Sequence, residues 1–225
     1  MNNIYFLFFV LGLSLLSRNS FSFEKDNMLR SIKMKEETIS IFLNKNGRVK
    51  TEVDFIFEGN MPEGFKMGFP ENETIIYQNF KASFEGREVP VQRVFPSRGR
   101  LFDFKVARYS SAYSFRAPVN MVGEISHKIT YEYNVPYYFE PGSKNEDSDD
   151  FFLEYIVKTG ALWHKKIEKI VAYVHLGGIT CSALKATATS LSGECVDSHT
   201  WAHKSFKSEP NKNIELIIDG SAITR

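Results

Sequence analysis

The chain reads as an all-β protein, two packed antiparallel sheets behind an export signal. Three observations carry this: apolar residues recur at every second position, short Gly and Asn turn signals separate the runs, and an apolar stretch opens the chain. One sheet alone would leave its apolar face in water, so the strands must form a sandwich, in one large domain or two subdomains.

The opening stretch runs from Ile4 to Leu16 and is followed by Ser20-Phe21-Ser22. About 13 helical residues rise only about 20 Å, short of a hydrocarbon core of about 30 Å, so a cleaved signal of residues 1–22 is expected rather than an anchor. The alternative is an uncleaved anchor, since no Lys or Arg precedes the run. No Cys follows it, so a lipid anchor is not expected.

Ile39, Ile41 and Leu43 alternate with Thr38, Ser40 and Phe42, and Val49, Val53, Phe55 and Phe57 follow the turn Asn44-Lys45-Asn46-Gly47: a β-hairpin. A second pairs Phe80, Ala82 and Phe84 with Val89 and Val91 around Glu85-Gly86-Arg87. Leu101 to Val106 is a further short strand. Ile125, His127, Ile129, Tyr131 and Tyr133 share a strand face until Pro136 removes a ladder donor. Strands at 152–158, 167–176 and 214–218 complete the series, and only Ser182 to Leu191 reads as helical. The segment 141–150 is an acidic, solvated loop. It divides an N-terminal β-sandwich region, 23–140, from a C-terminal β region, 151–225, expected to pack on it.

Removing residues 1–22 takes away Arg18 alone, leaving 27 basic against 27 acidic residues, so no charge excess recommends nucleic acid. Cys181 and Cys195 are the two cysteines, and export makes a disulfide the default. Closing a loop of about 15 residues contributes about 3 kcal/mol in the chain-entropy model. A redox thiol lacks C-x-x-C spacing or a neighbour that lowers its pKa.

At Met67-Gly68-Phe69-Pro70-Glu71 and Tyr155 to Trp163, with Thr159-Gly160 inside, the chain resembles an uncharacterised family of exported bacterial proteins. Its early strand motif matches Glu37 to Leu43, its M-G-F-P turn matches 67–70, and its late Trp, Pro and final strand match Trp201, Pro210 and 214–218. A more distant likeness is to the β-sandwich domain of vault proteins and inter-α-trypsin inhibitors. The resemblance implies a sandwich and no catalytic residue.

His199 and His203, near Asp197 and Trp201, would share a helix face for zinc. No helix is expected there, and on a strand they stand about 13 Å apart at about 3.3 Å per residue, so a polar loop is the better account. His164 stands alone after Trp163. Glu146, Asp147, Asp149 and Asp150 offer calcium-type ligands without the Gly and distant Glu of an EF-hand. Asn72-Glu73-Thr74 is an acceptor sequon only in a host that glycosylates by that rule. The chain lacks G-x-S-x-G and H-E-x-x-H and no triad assembles by spacing, so no catalytic residue, metal or cofactor is expected, although scattered Ser, His and Asp can converge in space.

Charge is unevenly spread: residues 87–116 hold seven basic side chains against two acidic, net +5, and residues 140–154 hold six acidic against one basic, net −5. Arg93, Arg98, Arg100 and Arg108, interleaved with aromatics, are a candidate anion-binding face for a glycan, lipid headgroup or acidic protein. The alternative is an outer strand face whose charges the acidic segment neutralises. The expected role is an exported, periplasmic or secreted, non-enzymatic binding or envelope-associated protein. A structural module of an envelope complex and a hydrolase with a loop-assembled site are the alternatives.

Overall fold

The structure, a computed structural model, describes residues 32–72, 75–95, 100–101, 104–105, 109–138, 149–157, 166–188, 190–208 and 210–224. Residues 1–22, expected as a signal, residues 141–148 of the expected acidic loop, Glu73, Thr74, Arg98, Arg108, Thr159, Gly160, Trp163 and His164 lie outside them.

The fold is all-β and built on one long sheet. Its strands are β1 (Ile32–Asn44), β2 (Arg48–Met61), β4 (Gln78–Phe84), β5 (Arg87–Val89), β10 (Met121–Asn134), β12 (Ile167–Gly177), β14 (Glu194–Asp197) and β15 (Thr200–Ser208). They lie in the order β14-β15-β12-β1-β2-β10-β4-β5. Alternation decides which face is buried: Ile39, Ile41, Leu43, Val49, Val53, Phe57, Ile125, Ile129, Tyr131 and Tyr133 all point to one side.

Both predicted hairpins form. Gly47 N–H returns to Asn44 O at 2.9 Å between β1 and β2. Glu85 and Gly86 both have positive φ, +48° and +72°, as the two central residues of a type I′ turn require, and Gly adopts this without steric cost. The β10 strand ends two residues before Pro136.

Two three-stranded sheets cover the buried face. One is β3 (Lys66–Asn72), β9 (Tyr109–Arg116) and β6 (Gln92–Val94), in the order β3-β9-β6; the other is β11 (Phe151–Tyr155), β16 (Ile214–Ile218) and β13 (Leu184–Ala186), in the order β11-β16-β13. Rings from the covering strands meet rings of the long sheet: Phe69 lies 5.4 Å from Tyr131, and Phe80 4.3 Å from Tyr113. A single apolar cluster runs through all three sheets. Such aromatic contacts contribute beyond the area they bury.

Four expectations are corrected. The M-G-F-P segment is not a turn: Met67, Gly68, Phe69 and Pro70 lie within β3, and Pro70 faces Ala112 across the ladder. A proline survives there because β3 is an edge strand, where its missing N–H breaks no inner ladder. The described residues of 182–191 form no α-helix; Cys181–Ala183 is one 3₁₀ turn leading into β13. The strand at 101–106 is two short pieces, β7 (Arg100–Leu101) and β8 (Phe104–Lys105). The polar segment at 197–203 is a hairpin of β14 and β15.

The long sheet is antiparallel except at β1 and β12, which run parallel from Glu36↔Lys169 to Asn44↔Gly177. Strands from both sides of the 141–150 segment thereby share one sheet. On β1 a bulge between Met34 and Glu36 shifts the register. Strict alternation after Ile32 and Met34 would turn Glu36 inward; the extra residue sends Glu37 there instead.

Candidate functional site

At the β14 end of the long sheet, β12, β15 and the 192–196 segment border a shallow, solvent-open groove of about 510 Å³. Register explains it. Ala202 on β15 faces Tyr173 on β12 and Glu194 on β14, so a methyl group forms the floor between two larger side chains. Lys204, two residues along β15, faces Val171. Val196, on the same short strand as Glu194, is 56% exposed and Tyr173 is 38% exposed, large apolar surfaces left open. Phe42, His175 and Tyr173 continue the exposed rings along the sheet, with centroids 4.8 Å and 6.0 Å apart.

The groove wall is pinned from three directions. Cys195 on β14 is joined to Cys181, with Cα atoms 6.0 Å apart, so the predicted disulfide is present. Cys181 N–H donates to Ser198 O at 2.8 Å, and Leu176 N–H to His199 O at 2.8 Å. A Cβ added at Gly193 would lie 2.1 Å from the Trp201 ring and 2.6 Å from Ala202 O, so a side chain there would push the segment off β15. Replacing Cys181 and Cys195 together with Ser is expected to lower stability by about 3 kcal/mol. Urea denaturation with and without reductant checks this: wild type should shift to the variant's midpoint only when reduced.

The histidines near the groove are structural. His199 Nδ1–H donates to Ile179 O at 2.8 Å, after Asp197 Oδ1 has accepted the His199 backbone N–H at 2.7 Å in the hairpin turn. His203 Nδ1–H donates to Ser192 O at 2.6 Å and its Nε2 accepts from Ser205 at 3.1 Å, tying the groove segment to β15. Among the described residues no group of three or more His, Cys, Asp or Glu is placed to hold a metal ion.

Of the four candidate anion-binding arginines, Arg93 is fully described, on β6, and Arg100 lies on β7. Arg93 is already engaged. Its Nε donates to Glu71 Oε2 at 2.8 Å, its Nη2 stands 2.6 Å from the same oxygen as an ion pair, and its guanidinium lies 5.1 Å from the Phe95 ring. Glu71, buried on β3, also accepts from the Ser111 hydroxyl and from Tyr77 N–H, the latter at 2.8 Å.

Two buried titratable groups were not singled out from the sequence as candidates. Glu37 is buried completely; burial pushes its carboxyl up to about 7, against the pull of the Tyr155 hydroxyl that donates to Oε1 at 2.7 Å. Among the described residues its Oε2 has no hydrogen-bond partner. His127 is enclosed by Phe55, Phe57, Phe84 and Phe115; burial lowers its pKa to about 4, although Nδ1–H donates to Ser83 O at 2.8 Å. Both lie in one cross-strand row, with Phe55 between them. The sequence signals were the place of His127 on the apolar face it shares with Ile125 and Ile129, and for Glu37 an acidic residue at the edge of an apolar alternation, which a bulge alone could turn inward.

No protein-family model matches the chain, and no curated protein matches it. Among solved structures it is similar in fold to a Legionella pneumophila protein provisionally named as nutrient binding. The TM-score is 0.62 at 17% identity, over 84% of this chain and 67% of that one. An M1 zinc metallopeptidase from Deinococcus radiodurans overlaps 84% of this chain and 42% of its own, with TM-score 0.42 and 10% identity. Yeast LTA4 hydrolase overlaps 84% and 29%, with TM-score 0.47 and 7% identity.

Proposed function

We propose that this is an exported, non-enzymatic binding protein that holds a small molecule in the groove between β12, β15 and β14. The observation that carries the reading is the groove itself. About 510 Å³ lies in the range of small-ligand sites, and its lining combines an open aromatic ring and apolar side chains with a few charged groups, as such sites do. The name of the Legionella protein of similar fold supports the same class of role. The Cys181–Cys195 disulfide fits an oxidising compartment, and with the N-terminal apolar run it supports export.

The reading does not rest on an arginine face. Arg93 has its charge answered by Glu71, so a polyanion would have to compete with a buried carboxylate for it. A small-molecule panel screened by thermal shift is the direct test: a groove ligand should raise the melting temperature with concentration. Tyr173→Ala should weaken that ligand about tenfold or more, while its own melting temperature stays near wild type, because Tyr173 is part-exposed. A ligand that binds the variant equally well sits elsewhere, and the groove reading then fails.

A further inference from the structure

We infer that the groove selects a small zwitterion with an apolar side group, the chemistry of a free α-amino acid. This rests on the groove being a binding site and adds the ligand's charge pattern. Around Ala202 the outward positions are an anion, Glu194, directly across on β14, and a cation, Lys204, two residues along β15. Such diagonal positions on neighbouring strands are about 7–8 Å apart.

Elsewhere on this sheet face opposite charges close on each other: Lys169 with Glu36 at 2.8 Å, Lys50 with Glu52 at 2.7 Å, Lys128 with Glu52 at 2.8 Å. Glu194 and Lys204 close no ion pair among the described residues, although their side chains are long enough to meet. The Phe206 ring, 5.1 Å from Lys204 Nζ, draws that ammonium along β15 and away from β14.

A ligand whose ammonium meets Glu194 and whose carboxylate meets Lys204 answers both charges at once. An anion or a cation alone answers one and faces repulsion from the other, which is selection by an unfavourable contact as well as a favourable one. The apolar part of the ligand then has Tyr173, Val171 and Val196 to pack against.

The test is an NMR titration of the purified protein with three probes: L-phenylalanine, N-acetyl-L-phenylalanine, which lacks the cation, and L-phenylalaninamide, which lacks the anion. L-Phenylalanine should shift the amides of Gly193, Glu194 and Ala202, and each blocked form should bind about tenfold or more weakly, the loss of one charge-assisted hydrogen bond. Glu194→Gln should erase the preference over the acetylated probe, and Lys204→Met the preference over the amide; both positions are exposed. Equal binding of all three probes at these amides would overturn the zwitterion and leave the groove as a binding site. So would silence from all three when another small molecule shifts the same amides. If no small molecule shifts them, the groove reading falls as well.

Discussion

Replacing Arg93 with Ala is expected to destabilise the protein by about 3–5 kcal/mol, far more than a part-exposed arginine normally costs. The reason lies in its partner. Glu71 is buried, with its side chain 1% exposed, and its Oε2 takes both Arg93 nitrogens and the Ser111 hydroxyl. Removing the guanidinium leaves a carboxylate in the interior without its counter-charge. Arg93→Lys keeps the charge but loses the fork, so it should fall between. Arg93→Glu should be worse than Ala, and no polyanion binding should be there to lose. A double-mutant cycle with Glu71→Gln, read by chemical denaturation, isolates the pair: once Glu71 is neutral, the Arg93→Ala cost should shrink to the ordinary surface range. A cost below about 0.5 kcal/mol in the wild-type background would mean that Ser111 and the Tyr77 N–H satisfy the carboxylate by themselves.

Glu37→Gln and His127→Phe should tilt the pH dependence of stability in opposite directions and diverge by about 4 kcal/mol between pH 4.5 and 6.5. Burial raises the Glu37 pKa from 4.5 to about 7. Over that interval the folded carboxyl keeps a proton the unfolded chain has released, so its contribution is full below pH 4.5 and is lost as pH rises through 7. Burial lowers the His127 pKa from 6.5 to about 4. There the unfolded chain takes up a proton that the folded ring refuses, so stability is full above pH 6.5 and is lost as pH falls. Each slope approaches about 1.4 kcal/mol per pH unit, and in the wild type they cancel.

Glu37→Gln removes the falling limb, so the variant should gain stability with pH. His127→Phe removes the rising limb and should lose it. Glu52, Glu132, Glu168, Asp197 and Asp219 are all held below their ordinary values by hydrogen bonds and cations, so their effect falls below about pH 4.5, outside this window. Melting curves of the three proteins at half-unit pH steps decide it. Parallel profiles for the two variants would show that neither group titrates as its burial requires.

The sequence by itself determined the fold class and the strands whose apolar alternation is uninterrupted, at 38–43, 49–57 and 125–133, with the turns at 44–47 and 85–86. It also determined the Cys181–Cys195 pairing, since there was no other cysteine to choose. These are local properties: a period of two and a tight turn are set by residues that neighbour each other in the chain.

The tertiary structure decided everything that depends on register. β3 and β9 are strands because they pair with each other, against the Gly68 and Pro70 that read as a turn. One bulge exchanged Glu36 for Glu37 in the core, and a parallel pairing put β12 beside β1. Arg93 found Glu71 from 22 residues away, and the groove drew its ring from β12, its floor from β15 and its anion from β14. Alternation specifies which face a side chain takes but not which strand lies beside it. That choice is made by the summed packing of the whole core, where a one-residue slip would turn every buried side chain outward.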